Sequence, residues 1–410
     1  LVATARRGGI MGLIVFAKFI DRRGCSSLDP TGPRVIERPP IAATISHVER
    51  ICDLAGSRRH IGLGSDMDGG FSGARLPQGI DAPRDLPRLA EALNIPVATS
   101  LKGKGVVPEG SELSLGCLGV TSDGGAYRYI ADYADLLVFL GAGFNERTSH
   151  LWDRKLLEGK RLAQVDRDAT QLGKVFRPDV AVRGDIRDVV RELQDRLADC
   201  PPKDLAWLAG HRQTTGQPGA EHDSERARFH LMEAFFRRLA EDFPEDALIF
   251  DDNIVFAQRF LDVSHANHYF PNTGISSLGH AIPAAIGAKF VFRDAPAFAI
   301  LGDAGFHMCA MELMTAVNYG IALNTVVINN GSMSPIRKNQ LQLYGGRYID
   351  CDFINPDFRL LAASFGIRHY RVKNEADLAT VFADADLRRG LNLIEILLDK
   401  HVFPSYLSAR

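Results

Sequence analysis

At 410 residues, with 46% hydrophobic and 24% charged side chains, the chain has the length and composition of a globular protein of two or three domains. Its 48 Lys and Arg against 50 Asp and Glu leave a formal net charge of -2, which gives neither nucleic acid nor an anionic membrane a general attraction. Six cysteines, at 25, 52, 117, 200, 309 and 351, show neither metal-ligand spacing nor a disulfide framework, so a reducing cytoplasm is the expected compartment.

The chain opens at Leu1, which suggests a processed or incomplete product. Arg6-Arg7 ahead of the apolar stretch Gly8 to Phe19 has the look of a signal peptide, but Lys18 interrupts it and no small-residue cleavage site follows. The stretch is also shorter than the ~20 residues a membrane span needs. A buried strand is the expectation. Ser46 and His47 are read as surface or helix-start residues. His60 to Gly64 reads as a short apolar strand that ends in the carboxylates Asp66 and Asp68.

Parallel strands are expected at Ile95 to Ser100, Asp135 to Gly141 and Arg161 to Asp166, with helical stretches between them, as in a doubly wound domain. Gly141-Ala142-Gly143 closes the second of these and reads either as a nucleotide-binding turn or as a plain tight turn. From Pro201-Pro202 through Thr214 to Gly219 every periodicity breaks, which marks a linker over 201–229. A helix from His230 to Leu239 opens the last domain.

In that domain Ala297 to Leu301 and Thr325 to Ile328 read as buried parallel strands, with a helix over Met308 to Tyr319 between them that Gly320 stops. A right-handed strand–helix–strand unit delivers both strand ends to one edge of the sheet, where open parallel sheets bind ligands. Asp303 follows one strand and Asn329-Asn330 the other, so a carboxylate and an amide oxygen converge. Magnesium is usually held by one or two carboxylates and completed by phosphate oxygens, and a diphosphate with its magnesium suits such a sparse site. Backbone N–H groups at Ala304 and Gly305 are available to the phosphates.

Gly302-Asp303-Ala304 through Asn329-Asn330 resembles the cofactor motif of thiamine diphosphate enzymes of the acetolactate synthase and benzoylformate decarboxylase type. The resemblance extends to Thr273 through Gly279 and Ile282 through Ala288, where that family places a bulky apolar wedge, and to the tail from Asp357 through Ile396. It implies that Leu278 is the wedge that bends the cofactor, with the Ser276 carbonyl and the Leu278 N–H holding the pyrimidine. It further implies Asp303, Asn330 and the Ser332 carbonyl as magnesium ligands, and Gly302, Ala304 and Gly305 as the diphosphate seat. The strands over 94–200, with Leu101 to Gly105 and Leu115-Gly116, resemble the middle domain of the same family, in which FAD binds in several relatives. FAD is therefore a further candidate cofactor.

Residues 1–93 instead resemble the C-terminal part of a zinc membrane dipeptidase barrel, with Asp66 matching the active-site aspartate and no counterpart of the other metal ligands. The two resemblances meet at Leu89 to Leu93, which suggests a chimeric or misassembled chain. The expected fold class is α/β: a partial β/α-barrel fragment at 1–93, a doubly wound middle domain at 94–200 that lacks its first strand, the linker, and a doubly wound cofactor domain at 230–410.

The implied function is a thiamine diphosphate- and magnesium-dependent 2-oxo acid decarboxylase or carboligase, acting on a small-molecule 2-oxo acid as a homo-oligomer. The glutamate that activates the cofactor belongs to the pyrimidine-binding domain, and none of Glu37, Glu49 and Glu91 has a matching context, so impaired catalysis is expected unless a partner supplies it. A metallodipeptidase fragment and a non-catalytic cofactor-binding module are the alternatives. The segment Asn339 to Tyr348 resembles the acetolactate synthase side of the family.

Overall fold

The computed structural model describes residues 11–14, 61–64, 90–196 and 227–404, except 92–93, 123, 146, 245, 265–267 and 273–275. The chain divides into two compact units, Leu1–Pro83 and Arg84–Arg410. In the first, strand β1 (Met11–Ile14) runs parallel to β2 (Ile61–Gly64), with Met11 opposite Ile61. Both lie where the apolar runs of the sequence place strands. Asp66, Asp68, Ser46, His47 and the linker over 201–226 lie outside the described residues.

Among the described residues of the second unit the first strands are β3 (Val97–Ser100) and β4 (Ser114–Leu118), a parallel pair. Helix α1 (Gly125–Tyr133) buries Ala126, Tyr129 and Ile130, spaced three and four apart as one helical face requires. Ala126 and Ile130 pack with Leu118, Leu137, Leu156 and Leu162, and Tyr129 with Ala90 and Leu113. A second parallel sheet follows, made of β5 (Leu136–Leu140), β6 (Arg161–Asp166) and β7 (Val180–Arg183), with α2 (Ile186–Arg196) after it. At Gly141 φ is +64° and a Cβ would stand 2.6 Å from Ile186 Cδ1, so the tight turn and the α2 contact account for this glycine.

From α3 (His230–Asp242) onward the elements build one larger layer structure. In chain order they are β8 (Leu248–Asp251), α4 (Val255–Phe260), β9 (Tyr269–Pro271), α5 (Ala281–Lys289), β10 (Ala297–Gly302), α6 (Asp303–Cys309), α7 (Leu313–Tyr319) and β11 (Leu323–Asn329). After these come α8 (Ser334–Tyr344), α9 (Phe358–Phe365), β12 (Arg368–Val372), α10 (Glu375–Asp384) and β13 (Leu391–Leu397). The six strands form one all-parallel sheet in the order β12-β13-β11-β10-β8-β9.

Alternation along β10 shows why the strand is apolar throughout. Phe298 and Ile300 join the core under α3, whereas Ala297, Ala299 and Leu301 join the core under α5 and α7. Both faces are covered, as a doubly wound sheet demands. The helix expected over Met308 to Tyr319 begins earlier, at Asp303, and a 3₁₀ turn at Ala310–Glu312 breaks it into α6 and α7. Gly320 ends α7 at φ +59°. Among the described residues no helix is long and apolar enough to cross a membrane.

The smaller sheets are tied to the larger one through buried polar groups. Glu109 N donates to Val263 O at 2.9 Å, and Val263 N donates to Glu109 Oε2 at 2.9 Å. Lys104 Nζ donates to both oxygens of Glu109, at 2.7 and 2.6 Å, with the two side chains only 4% and 6% exposed. Glu109→Ala would strand the Lys104 ammonium in a closed site and remove an acceptor from Val263. A loss of ~3–5 kcal/mol is expected, read as a lower denaturant midpoint in chemical unfolding of the full chain.

Candidate functional site

The register Gly302↔Ile328 between β10 and β11 brings Asp303 and Asn329 to the same edge of the sheet. The Asp303 carboxylate is 1% exposed. Its Oδ2 accepts from Asn330 N at 3.1 Å, Gly331 N at 2.6 Å and Asn355 Nδ2 at 2.9 Å. Its Oδ1 accepts only from the neighbouring Ala304 N, at 2.9 Å, among the bonds of the described residues. One oxygen is saturated and the other keeps lone-pair capacity for a ligand.

Asn330 is held in turn. Its Oδ1 accepts from Ser332 N at 3.1 Å and Ser332 Oγ at 3.3 Å, and its Nδ2 donates to Ser334 Oγ. Ser332 is fixed by an antiparallel bridge to Asp352. Asp303, Asn330 and Ser332 therefore gather on one loop cluster, where a carboxylate, an amide or a backbone carbonyl would be a hard oxygen donor of the kind a magnesium ion takes.

Facing them is the loop before α5. Ser276 has φ +57° and Gly279 φ +81°, two left-handed residues that flank Leu278 and lift its side chain, 38% exposed, into the cleft mouth. The loop is anchored by Asp252, the residue just past β8. Its Oδ2 accepts from Gly279 N at 2.6 Å, and its Oδ1 from His280 N at 2.9 Å and Ala281 N at 2.8 Å. Burial raises the Asp252 pKa, with the three N–H bonds opposing that rise. Next to it Asp251, fully buried and receiving the Tyr269 hydroxyl and Ile254 N–H, is pushed up to about 7, burial being the largest cause.

A cleft of about 320 Å³ joins the two halves of the site. Ser276, Leu278, Gly302, Asp303, Ala304, Gly305, Asn330 and Ser332 all line it, so the structure gathers every cofactor and metal position expected in the second unit. Asp66 is outside the described residues. The cleft lies where the strand order turns back between β8 and β10, so the loops leaving those strands diverge and open a crevice.

Residues not expected from the sequence line it too. Asp252 and Asn253 follow β8 as Asp303 follows β10, and the same cue, a polar pair after a buried apolar run, marks them at Asp251-Asp252-Asn253. Arg147 reaches in from the smaller sheets, with NH1 donating to Asn253 Oδ1 at 2.7 Å, and Lys338 brings a second cationic side chain from α8.

Behind the Asp303 loop lies Glu395, 2% exposed on β13. Its Oε1 accepts from Asn329 Nδ2 at 2.6 Å, and its Oε2 from Arg371 Nε at 2.8 Å, with His369 Nε2 at 2.9 Å. Burial alone would raise this carboxyl; the His369, Arg371 and Asn329 contacts outweigh it and hold Glu395 at about 2.

Comparison with known proteins adds a separate line of observation. Residues 252–396 match the thiamine pyrophosphate enzyme C-terminal TPP binding domain, and residues 74–193 match the thiamine pyrophosphate enzyme central domain. The acetolactate synthase large subunit of Porphyra purpurea is 30% identical over 316 residues, which is 74% of this chain and 52% of that protein. The protein of the same name from Lactococcus lactis subsp. lactis is 29% identical over 324 residues, 77% of this chain and 55% of its own length. That of Cyanidium caldarium is 31% identical over 309 residues, 72% and 52% respectively. The chain spans about half the length of these relatives.

Two outcomes follow from the geometry. A Cβ at Gly305 would stand 2.8 Å from Asp252 Oδ2, a carboxylate already fixed by three N–H groups. Gly305→Ala is expected to cost ~1–3 kcal/mol through overpacking, visible as a lower melting temperature. For Glu395 the folded pKa of about 2 lies below the ordinary 4.5, so its contribution to stability is complete above pH 4.5 and is lost as pH falls toward 2. Glu395→Gln should flatten the acid limb of stability against pH across that window, measured by denaturant titration at each pH.

Proposed function

We propose, for a chain that belongs to the thiamine pyrophosphate enzymes through its central and C-terminal domains, that the cleft beyond β8, β10 and β11 holds thiamine diphosphate with a magnesium ion. The observation that carries this reading is the asymmetric Asp303 carboxylate, with Oδ2 fixed by three donors and Oδ1 left to the cleft beside Asn330. Asp303, Asn330 and the Ser332 carbonyl would hold the metal, and the cleft-lining backbone at Gly302, Ala304 and Gly305 would meet the diphosphate. Gly305 suits that task, because any side chain there would meet Asp252.

Leu278 would prop the organic part of the cofactor from the opposite side of the cleft. Its loop is stiff enough to do so: two left-handed residues and three N–H bonds to Asp252 fix the backbone around it. Ile254, Phe256, Met333 and Pro335 give the cleft apolar walls, which thin out water around the reacting centre. Thiamine diphosphate, when bound, supplies a carbon nucleophile for a 2-oxo acid carbonyl and an electron sink for the loss of carbon dioxide.

The substrate class we assign is a small 2-oxo acid, with the product either protonated or joined to a second carbonyl. Similarity to proteins named acetolactate synthase large subunit supports the carbon–carbon bond-forming branch. Assembly as a homo-oligomer in the cytoplasm belongs to the same reading. The contribution we assign to these residues is the cofactor anchor.

Calorimetric titration of thiamine diphosphate into the full chain, with and without magnesium, tests the anchor. Saturable binding that requires magnesium is expected, and Asp303→Ala should weaken it by more than the ~10–100-fold that even an outer-shell change costs. Magnesium-independent binding, or binding indifferent to Asp303→Ala, would overturn the reading. Carbon dioxide release from pyruvate by the loaded chain then separates a decarboxylase from a module that only holds the cofactor.

A further inference from the structure

We infer that Asn355 is a positioning residue for Asp303, and that Glu395 fixes the orientation of Asn355 through Asn329. The metal-binding consequence rests on the proposed magnesium site; the relay itself rests only on geometry. Its logic is one of donors and acceptors. An ionised carboxylate accepts and never donates. Glu395, with Arg371 Nε 2.8 Å from Oε2, is anionic, so Asn329 has to turn its NH2 group toward Oε1, at 2.6 Å.

That choice sends Asn329 Oδ1 the other way. There it accepts from Asn355 Nδ2 at 2.7 Å. Asn355 is thereby forced to present its NH2 rather than its carbonyl, and the second hydrogen of that group reaches Asp303 Oδ2 at 2.9 Å. Flipping the Asn355 amide would set its carbonyl oxygen against two acceptors. Flipping Asn329 would set its carbonyl against Glu395. Each amide is therefore locked by its neighbour, and the polarity runs from the ion pair behind the sheet edge to the carboxylate in the cleft.

One atom shows what this orientation costs. Asn355 Oδ1 is buried with no hydrogen-bond partner. Leaving a buried acceptor unpaired is unfavourable, yet the opposite orientation would forfeit both Nδ2 bonds and add two repulsive contacts. Asn355 also precedes Pro356, which holds its backbone extended and keeps the amide from retreating into a helical turn. With Nδ2 in place, Oδ2 of Asp303 has its third donor, and Oδ1 is the oxygen left for a ligand.

The test has two arms. In the first, the side-chain amide protons of Asn355 and Asn329 are followed by 15N NMR in the metal-free full chain. Slow exchange is expected for both, with both resonances shifted by Glu395→Gln, because a glutamine can offer Asn329 either polarity. Asn355 resonances indifferent to Glu395→Gln would overturn the relay. In the second arm, magnesium is titrated into the chain at saturating thiamine diphosphate. Asn355→Leu, nearly isosteric, uncharged and without the donor, should lose ~10–100-fold in magnesium affinity. Glu395→Gln should lose part of that, and the double variant should fall short of the summed effects.

An unchanged magnesium affinity in a folded Asn355→Leu chain would overturn the positioning role, since a merely structural contact would move the melting temperature and not the affinity. Should Asn355→Leu fail to fold, Glu395→Gln carries both arms, and an unchanged affinity there counts against the relay. A wild-type chain that binds no magnesium with thiamine diphosphate would defeat the proposed function, and the metal-free arm would still decide the relay.

Discussion

A carboxylate at 1% exposure has to be neutralised by donors or by a cation, and Asp303 receives donors on one side only. That asymmetry organises the rest of the site. The loop after β11 supplies two of the three N–H groups, so it has to turn back over the end of β10, which Gly331 allows at φ +63°. The third comes from Asn355, which brings the segment before α9 over the same loop. What remains open is Oδ1, on the side of the cleft.

The opposite wall is built by the same device with a different outcome. Asp252, after β8, spends both oxygens on the N-terminal end of α5 and the Leu278 loop, so it anchors backbone rather than ligand. Two buried aspartates at neighbouring strand ends thus take separate duties, decided by whether the surrounding N–H groups close around one oxygen or both. The crevice between them exists because the chain winds one way from β8 to β9 and the other way from β10 onward.

Electrostatics follow burial and partner count in the same manner. Asp251, buried beside another carboxylate with a tyrosine hydroxyl as its side-chain partner, is raised to about 7, so its folded state retains a proton that the unfolded chain releases above pH 3.8. Stability drawn from that group falls as pH rises from 3.8 to about 7. Glu395, also buried but met by His369, Arg371 and Asn329, is driven to about 2. The two windows run in opposite senses, so the chain gains from Glu395 as pH rises to 4.5 and loses from Asp251 over the higher range.

Local sequence pattern is enough to read the parallel α/β class, the strands that frame the cleft, and Asp303 and Asn330 at its edge, because uninterrupted apolar runs ending in hard oxygen donors can be read locally, whereas Ser332 and Leu278 are expected only from the resemblance to a family. It did not reveal Asp252 as the anchor of the Leu278 loop, since the partners lie 27 to 29 residues away and meet only once β8 and α5 are packed. Nor could it orient Asn355, whose amide is set by Glu395 across 66 residues of sequence through Asn329. Helix α6 starts at Asp303 rather than Met308 for a related reason: packing against β10 and β11 holds residues that periodicity alone leaves out. Strand ends are a local property of the chain. Which oxygen of a strand-end carboxylate stays free is decided only by the donors that tertiary structure brings to the other.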